Sequence, residues 1–153
     1  MTTTTGTDGT LSVIDADECY ALLATQELGR LAVVDRDQPL IVPVNYGLDG
    51  RTIVVRTHPG TVLSAAIGRS VAFEVDEIDR RERSGWSVLV VGFPEEVGHS
   101  ERNELIEHTH GRGVQPWAPG EHGVWLRLTP HRISGRRIVP GQLPWGVDTR
   151  AYL

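Results

Sequence analysis

One cysteine, Cys19, stands in 153 residues, so no disulfide can form within the chain and a reducing compartment is expected. No stretch approaches the roughly 20 apolar residues of a membrane span, and no charged-then-apolar leader opens the chain. The formal net charge of −5 argues against a general nucleic-acid binder, which needs a basic face. Other absences narrow the chemistry. There is no Gly-x-Ser-x-Gly elbow for a serine hydrolase, and neither Gly-x-Gly-x-x-Gly nor a Walker-type loop for a nucleotide. His99, His108, His110 and His122 match no common zinc spacing, and no cysteine lies near them, so they read as loop histidines. The expectation is a cytoplasmic chain with no metal, membrane or nucleic-acid partner.

What is present is mostly β-forming. The opening MTTTTGTDGT is polar and rich in threonine and glycine, and residues 1–12 are expected to be a disordered tail ahead of a single domain, 13–153. Asp15, Asp17 and Glu18 precede Tyr20, Leu22 and Leu23, which predicts a helix from Ala16 to Gln26 with Cys19 packed in the core. "GRLAVVD" and "PLIVPVNYGLDG" flank the polar turn Asp35-Arg36-Asp37-Gln38, a hairpin signal. Asp49-Gly50 then turns the chain into "RTIVVRT". A short helix over "GTVLSAAIGR", strands over "SVAFEVDEID" and "WSVLVVGFPEEV", a helix capped by Ser100, and "VWLRLTPHRISGRRI" as one strand or a bulged pair complete the reading. Six short β-rich runs with small helices between them point to a mainly β antiparallel barrel.

The stretch "VVRTHPGTVLSAA" carries the most chemistry. Arg56 at a strand end can donate a bidentate pair to phosphate, the amides of Gly60, Thr61 and Val62 open a helix, and Thr57 and Thr61 add hydroxyl donors. A plainer reading stands beside it: Thr61 caps the helix and Arg56 pairs with a surface carboxylate. Arg80, Arg81 and Arg83 mix with acidic residues and read as a solvated loop. For Arg136 and Arg137 two readings stand open, one reaching an anionic ligand and the other a structural surface role. Trp86 and Trp125, in strand contexts, are expected in the core or at a subunit interface.

Taken in succession, Pro43-Val44-Asn45-Tyr46, Asp49-Gly50, Arg56-Thr57, Gly60-Thr61, Ser84-Gly85-Trp86-Ser87-Val88 and Gly135-Arg136 are specific, and the stretch from Asp15 to Val139 resembles the pyridoxamine 5′-phosphate oxidase-like superfamily. It is most similar to the small stand-alone members grouped with nitroimidazole-resistance proteins. The resemblance implies an antiparallel split β-barrel of the FMN-binding type, a homodimer with FMN in the grooves between subunits, and a small-molecule substrate. It places Pro43, Val44 and Asn45 along the isoalloxazine ring, Arg56 and Thr57 by the ribityl phosphate, and Gly60 and Thr61 at the helix beside it. Trp86, Ser87 and Val88 would complete the site, partly from the partner subunit, with Trp117 as a cover. Val62 stands where members commonly carry a phosphate-binding lysine, a loss that Arg56 or Arg69 would have to offset.

The reading that follows is a flavin-dependent oxidoreductase whose catalytic residues the sequence does not name. FMN is the expected cofactor, with a deazaflavin as the alternative. A second reading, from another class, is a non-catalytic split-barrel protein that binds flavin, deazaflavin, heme or another small ligand.

Overall fold

A computed structural model describes residues 9–109, 114–116 and 123–141. Seven strands and three helices follow in the order β1 (Thr10–Ile14), α1 (Ala16–Leu23), β2 (Leu28–Asp35), β3 (Gln38–Asp49), β4 (Thr52–Thr57), α2 (Val62–Ala65), β5 (Val71–Asp79), β6 (Ser84–Glu96), α3 (His99–Thr109) and β7 (Val124–Val139). All pairings are antiparallel, and the strand order β1-β7-β4-β3-β2-β5-β6 closes because β7 also pairs with β6. The result is a six-stranded ring with β1 laid along the second half of β7.

Alternation fills that ring. Leu31, Val33, Tyr46, Ile53, Val55, Phe73, Val75, Val88, Val90, Leu126 and Leu128 point inward and form one buried cluster. The Tyr46 and Phe73 rings meet edge-on with centroids 5.0 Å apart. The Tyr46 hydroxyl donates to the Leu23 carbonyl, which ties α1 to the barrel, while Cys19 and Leu23 of α1 are fully buried. Asp15 caps α1 by accepting from the Glu18 amide at 2.9 Å. Outside the ring, α3 covers β4 and β7 through a second cluster of Val54, Val97, Leu105, Val114 and Trp125.

The Asp35–Gln38 hairpin forms as expected, with Arg36 and Asp37 at φ of 47° and 63°, the left-handed pair that a two-residue hairpin turn needs. Several boundaries differ. Thr10, Leu11 and Ser12, placed in the polar tail from composition, belong to β1. Their side chains are exposed, so no alternation marks them, and pairing with Ile138 and Arg137 of β7 orders their backbone. Helix α1 stops at Leu23 rather than Gln26, because the Thr25 hydroxyl takes the Leu22 carbonyl at 2.7 Å and Glu27 already bonds β3. Helix α3 begins at His99, so Ser100 lies inside its first turn and is not its cap. The last long run is a single strand, β7, whose pairing with β6 shifts register between Val91 and Gly92. Residues 1–8, Trp117, His110 and His122 lie outside the described residues.

Candidate functional site

Two outward-facing patches carry the polar chemistry. The first spans β3, β4 and the turn after β4. Tyr46 and Val55 pair and point into the barrel, so Asn45 and Arg56, one residue further on each strand, face outward. Arg56 is paired in register with Trp125 of β7, and its guanidinium carbon lies 4.7 Å from the centroid of the Trp125 ring. Trp125 is itself held under α3 with Val97 and Leu105, which fixes the ring that Arg56 rests on. Asn45 donates from Nδ2 to the Glu27 carbonyl at 3.3 Å. Pro43 is exposed on the same face, whereas the Val44 side chain belongs to the core, leaving only its backbone to the outside.

The turn after β4 is a small network. Thr61 accepts the Ser64 amide at 3.3 Å, capping α2, and donates to the His58 carbonyl at 3.0 Å. A hydroxyl has one proton, so the 2.9 Å contact between Thr57 and Thr61 takes its proton from Thr57. Both hydroxyl protons are thereby committed inside the turn. The capping half of the plainer sequence reading holds, and the Arg56 guanidinium also lies over an aromatic ring. Gly60 sits at φ +75°, which disfavours any side chain, and nothing lies within 4 Å of where a Cβ would be. That side of the turn is open.

The second patch lies on β5, β6, β7 and β1. Ser87 is paired with both Asp76 and Arg136, and Gly85 with both Ile78 and Ile138. A groove of about 500 Å³ runs over them, bordered by Trp86 and Arg83. The Trp86 indole donates to the Glu77 carboxylate at 3.3 Å, with the ring partly packed on the core. Val88 is fully buried inside the barrel. Within one chain the two patches are not joined, since β4 and β6 are separated by β7 on one side and by β3, β2 and β5 on the other.

This ring of strands has clear relatives. The family described as Pyridoxamine 5'-phosphate oxidase matches residues 15–137. The chain belongs to this family. It is 34% identical over 133 residues to an uncharacterized protein of Mycobacterium tuberculosis, covering 82% of this chain and 84% of that one. Among solved structures, an FAD-binding protein from Mycobacterium smegmatis aligns at 31% identity and a TM-score of 0.63, covering 84% of this chain and 98% of that one. An FAD-binding protein from Mesorhizobium loti aligns at 26% identity and a TM-score of 0.65, covering 85% and 98%. The fold is the split barrel of pyridoxamine 5′-phosphate oxidase-like proteins, as expected.

The chain's cation set is narrow. It contains no lysine at all, so every side-chain positive charge at neutral pH other than a protonated histidine is a guanidinium. The signal was present in the composition and would have directed attention to the arginines one by one. Val62 packs partly against the core. Arg69 lines a separate cleft of about 180 Å³ with Arg36 and Ser70. Sequence reasoning also missed a half-buried cluster between the patches: Arg30 bridges Asp76 at 2.7 Å and Glu74 at 3.4 Å. Burial, then the Asp76 charge, raises the Glu74 carboxyl above its ordinary value, with Arg30 opposing. No sequence motif marks these three, because antiparallel register alone brings Arg30 beside Glu74.

Proposed function

We propose that two copies of this chain hold a flavin between them, and that the pair acts as a flavin-dependent oxidoreductase on a small molecule. The observation that carries this is the division of the site into two outward patches. Pro43, Asn45, Arg56 and the open turn at Gly60 form one face, and Ser87 lies on another that the same chain does not bring to it, with Trp86 beside it at the end of the barrel. A second copy supplies the missing half. Exposed apolar side chains on the outer strands, among them Val13 at 87%, Ile41 at 71% and Ile78 at 67%, are the kind of surface that a partner copy covers.

The residues fit a flavin phosphate in part. Arg56 is oriented by Trp125 and the Gly60 turn is open, but the Thr57 and Thr61 protons are already committed and Val62 packs partly against the core. Flavin supplies electron transfer when bound, and the chain's own residues orient it and exclude water from its face. Sequence resemblance favours FMN, whereas the two FAD-binding relatives favour the dinucleotide. The incomplete grip also supports a second reading, a flavin-binding protein without turnover.

Absorption spectra of the purified full chain, before and after adding FMN or FAD, test the cofactor, and sedimentation tests the pair. Flavin bands with a dimer mass are expected. A monomer that ignores both flavins overturns the reading. Oxidation of the reduced complex by nitroaromatic acceptors, against a buffer control, separates the oxidoreductase from the binding protein.

A further inference from the structure

We infer that the pairing of two copies takes up one proton per copy, on Glu74, as the outer face of β2, β3, β5 and β6 is covered, so that the pair tightens as pH falls. This rests on the two-copy reading above and adds a regulator to it. A flavin held between copies is retained only as well as the copies hold each other.

Cross-strand rows build that face. Ile41, Ala32, Ala72 and Val91 form an apolar row across β3, β2, β5 and β6. One step along the strands, Pro43, Arg30, Glu74 and Leu89 form the next, with Asp76 and Ser87 beyond it on β5 and β6. Ile41, Pro43 and Leu89 are exposed, as are Val34 and Leu28 at the two ends of this stretch of β2. The two central alanines are small, which keeps the face shallow enough to lie against another sheet. Helix α3 lies over β4 and β7 instead. A second copy is the occupant, because these rows continue the exposed apolar surface, Ile41 included, that the two-copy reading assigns to it.

The charges on this face do not balance. Arg30 meets two carboxylates through the same nitrogen, Asp76 at 2.7 Å and Glu74 at 3.4 Å. Glu74 and Asp76 are two residues apart on one strand, so both stand on the same side. Among the described residues, the strands beside them add no titratable group in contact: β6 sets Leu89 opposite Glu74 and Ser87 opposite Asp76, and β3 sets Pro43 opposite Arg30. Arg132 and Arg136 of β7 stand one strand further out, beyond Val91 and Ser87, and neither is ion-paired with these carboxylates. Water tolerates the excess negative charge in a single copy. Covering the face removes that water, and a two-fold pair brings the same unbalanced set from the other side.

A buried charge without its own partner neutralises by changing its protonation. Glu74 is the group that does so, since Asp76 holds the guanidinium at the shorter distance. Burial, then the Asp76 charge, already hold the Glu74 carboxyl above its ordinary value in the single chain, with Arg30 opposing, and covering adds to the first of these. Pairing therefore binds protons between the single-copy and paired values of Glu74, and its affinity rises as pH falls through that range. Two protons per pair set a ceiling of about hundredfold per pH unit.

The experiment is sedimentation of the fluorescently labelled full chain over a dilution series at about pH 6 and about pH 8, for the wild type, Glu74→Gln, Asp76→Asn and Glu104→Gln. The wild type is expected to pair at least about tenfold more tightly at the lower pH. Glu74→Gln, which is neutral throughout, and Asp76→Asn, which leaves Arg30 to Glu74 alone, should lose that dependence. Glu104→Gln, an exposed carboxylate on α3, should keep it. Thermal melts check that each variant is folded. For a pair too tight to dilute apart, the infrared spectrum at about pH 6 should show a protonated-carboxyl band that Glu74→Gln removes. Equal pairing at both pH values without such a band, or the wild-type dependence persisting in either face variant, overturns the inference and leaves the two-copy reading standing. A wild type that stays single at both pH values, with flavin added, overturns that reading and this inference with it.

Discussion

Arg56 and Trp125 are cross-strand partners on β4 and β7, and the guanidinium lies over the indole face at 4.7 Å. A cation–π contact of this kind contributes about 0.5–2 kcal/mol and sets the plane of the guanidinium. Arg56→Ala is expected to weaken flavin binding roughly tenfold to a hundredfold while the melt and the dimer mass persist. Arg56→Lys should not restore it, because an ammonium cannot stack and fork together. Unchanged affinity in either variant would remove Arg56 from the site.

Val62 stands where the sequence resemblance implies a phosphate-binding lysine. Its side chain packs partly on the core, so Val62→Lys exchanges buried apolar contact for a charge that must turn outward. The expected result is a lower melting temperature with no gain in FMN affinity. A tighter titration would show that the first turn of α2 can present a lysine to the phosphate.

Gly135 lies where α1 crosses β7. A Cβ there would stand 2.5 Å from the Cys19 sulfur and 3.1 Å from the Ile14 Cβ, both buried. Gly135→Ala should therefore destabilise by about 1–3 kcal/mol, read in a denaturant midpoint. The companion Gly135→Ala/Cys19→Ala should recover part of the loss by removing the sulfur.

Burial raises the Cys19 thiol, and the Asp15 and Glu18 charges add to that effect. In the native protein it should stay protonated and resist a thiol reagent at pH 8, then react in denaturant. Rapid native labelling would show that α1 opens from the barrel.

Glu74 supplies a pH signature. Burial, then Asp76, raises its folded value above the ordinary 4.5. The folded chain holds that proton to higher pH than the unfolded chain does. Its stabilising contribution is thus present below about 4.5 and is lost as pH rises through the folded value. Glu74→Gln should abolish this decline, so the two melting-temperature profiles converge at low pH and separate in the variant's favour above it. Parallel profiles would count against it.

Much of the barrel was legible because its strands alternate and its turns carry their own residues: Asp35 to Gln38 and Asp49-Gly50 each fix a hairpin. What escaped has a physical reason in each case. β1 is exposed along four of its five residues, so only its backbone pairing with β7 orders it. Thr57, Thr61 and Arg56 were found as a group, but sequence spacing cannot say which protons a network consumes or that an arginine rests on a ring 69 residues later. The groove at Trp86 joins four strands from distant parts of the chain, and nothing local announces it.

β7 alone touches β1, β4 and β6, and it is the last strand among the described residues. Until it emerges, β1 has no partner and the edges of β4 and β6 stay open. Such an order leaves the most non-local pairings to the last of these strands, so the ring closes only after residue 139 has left the ribosome. A nascent chain cut short before β7 would present unpaired strand edges to its neighbours, and holding those edges apart falls to chaperones rather than to the fold.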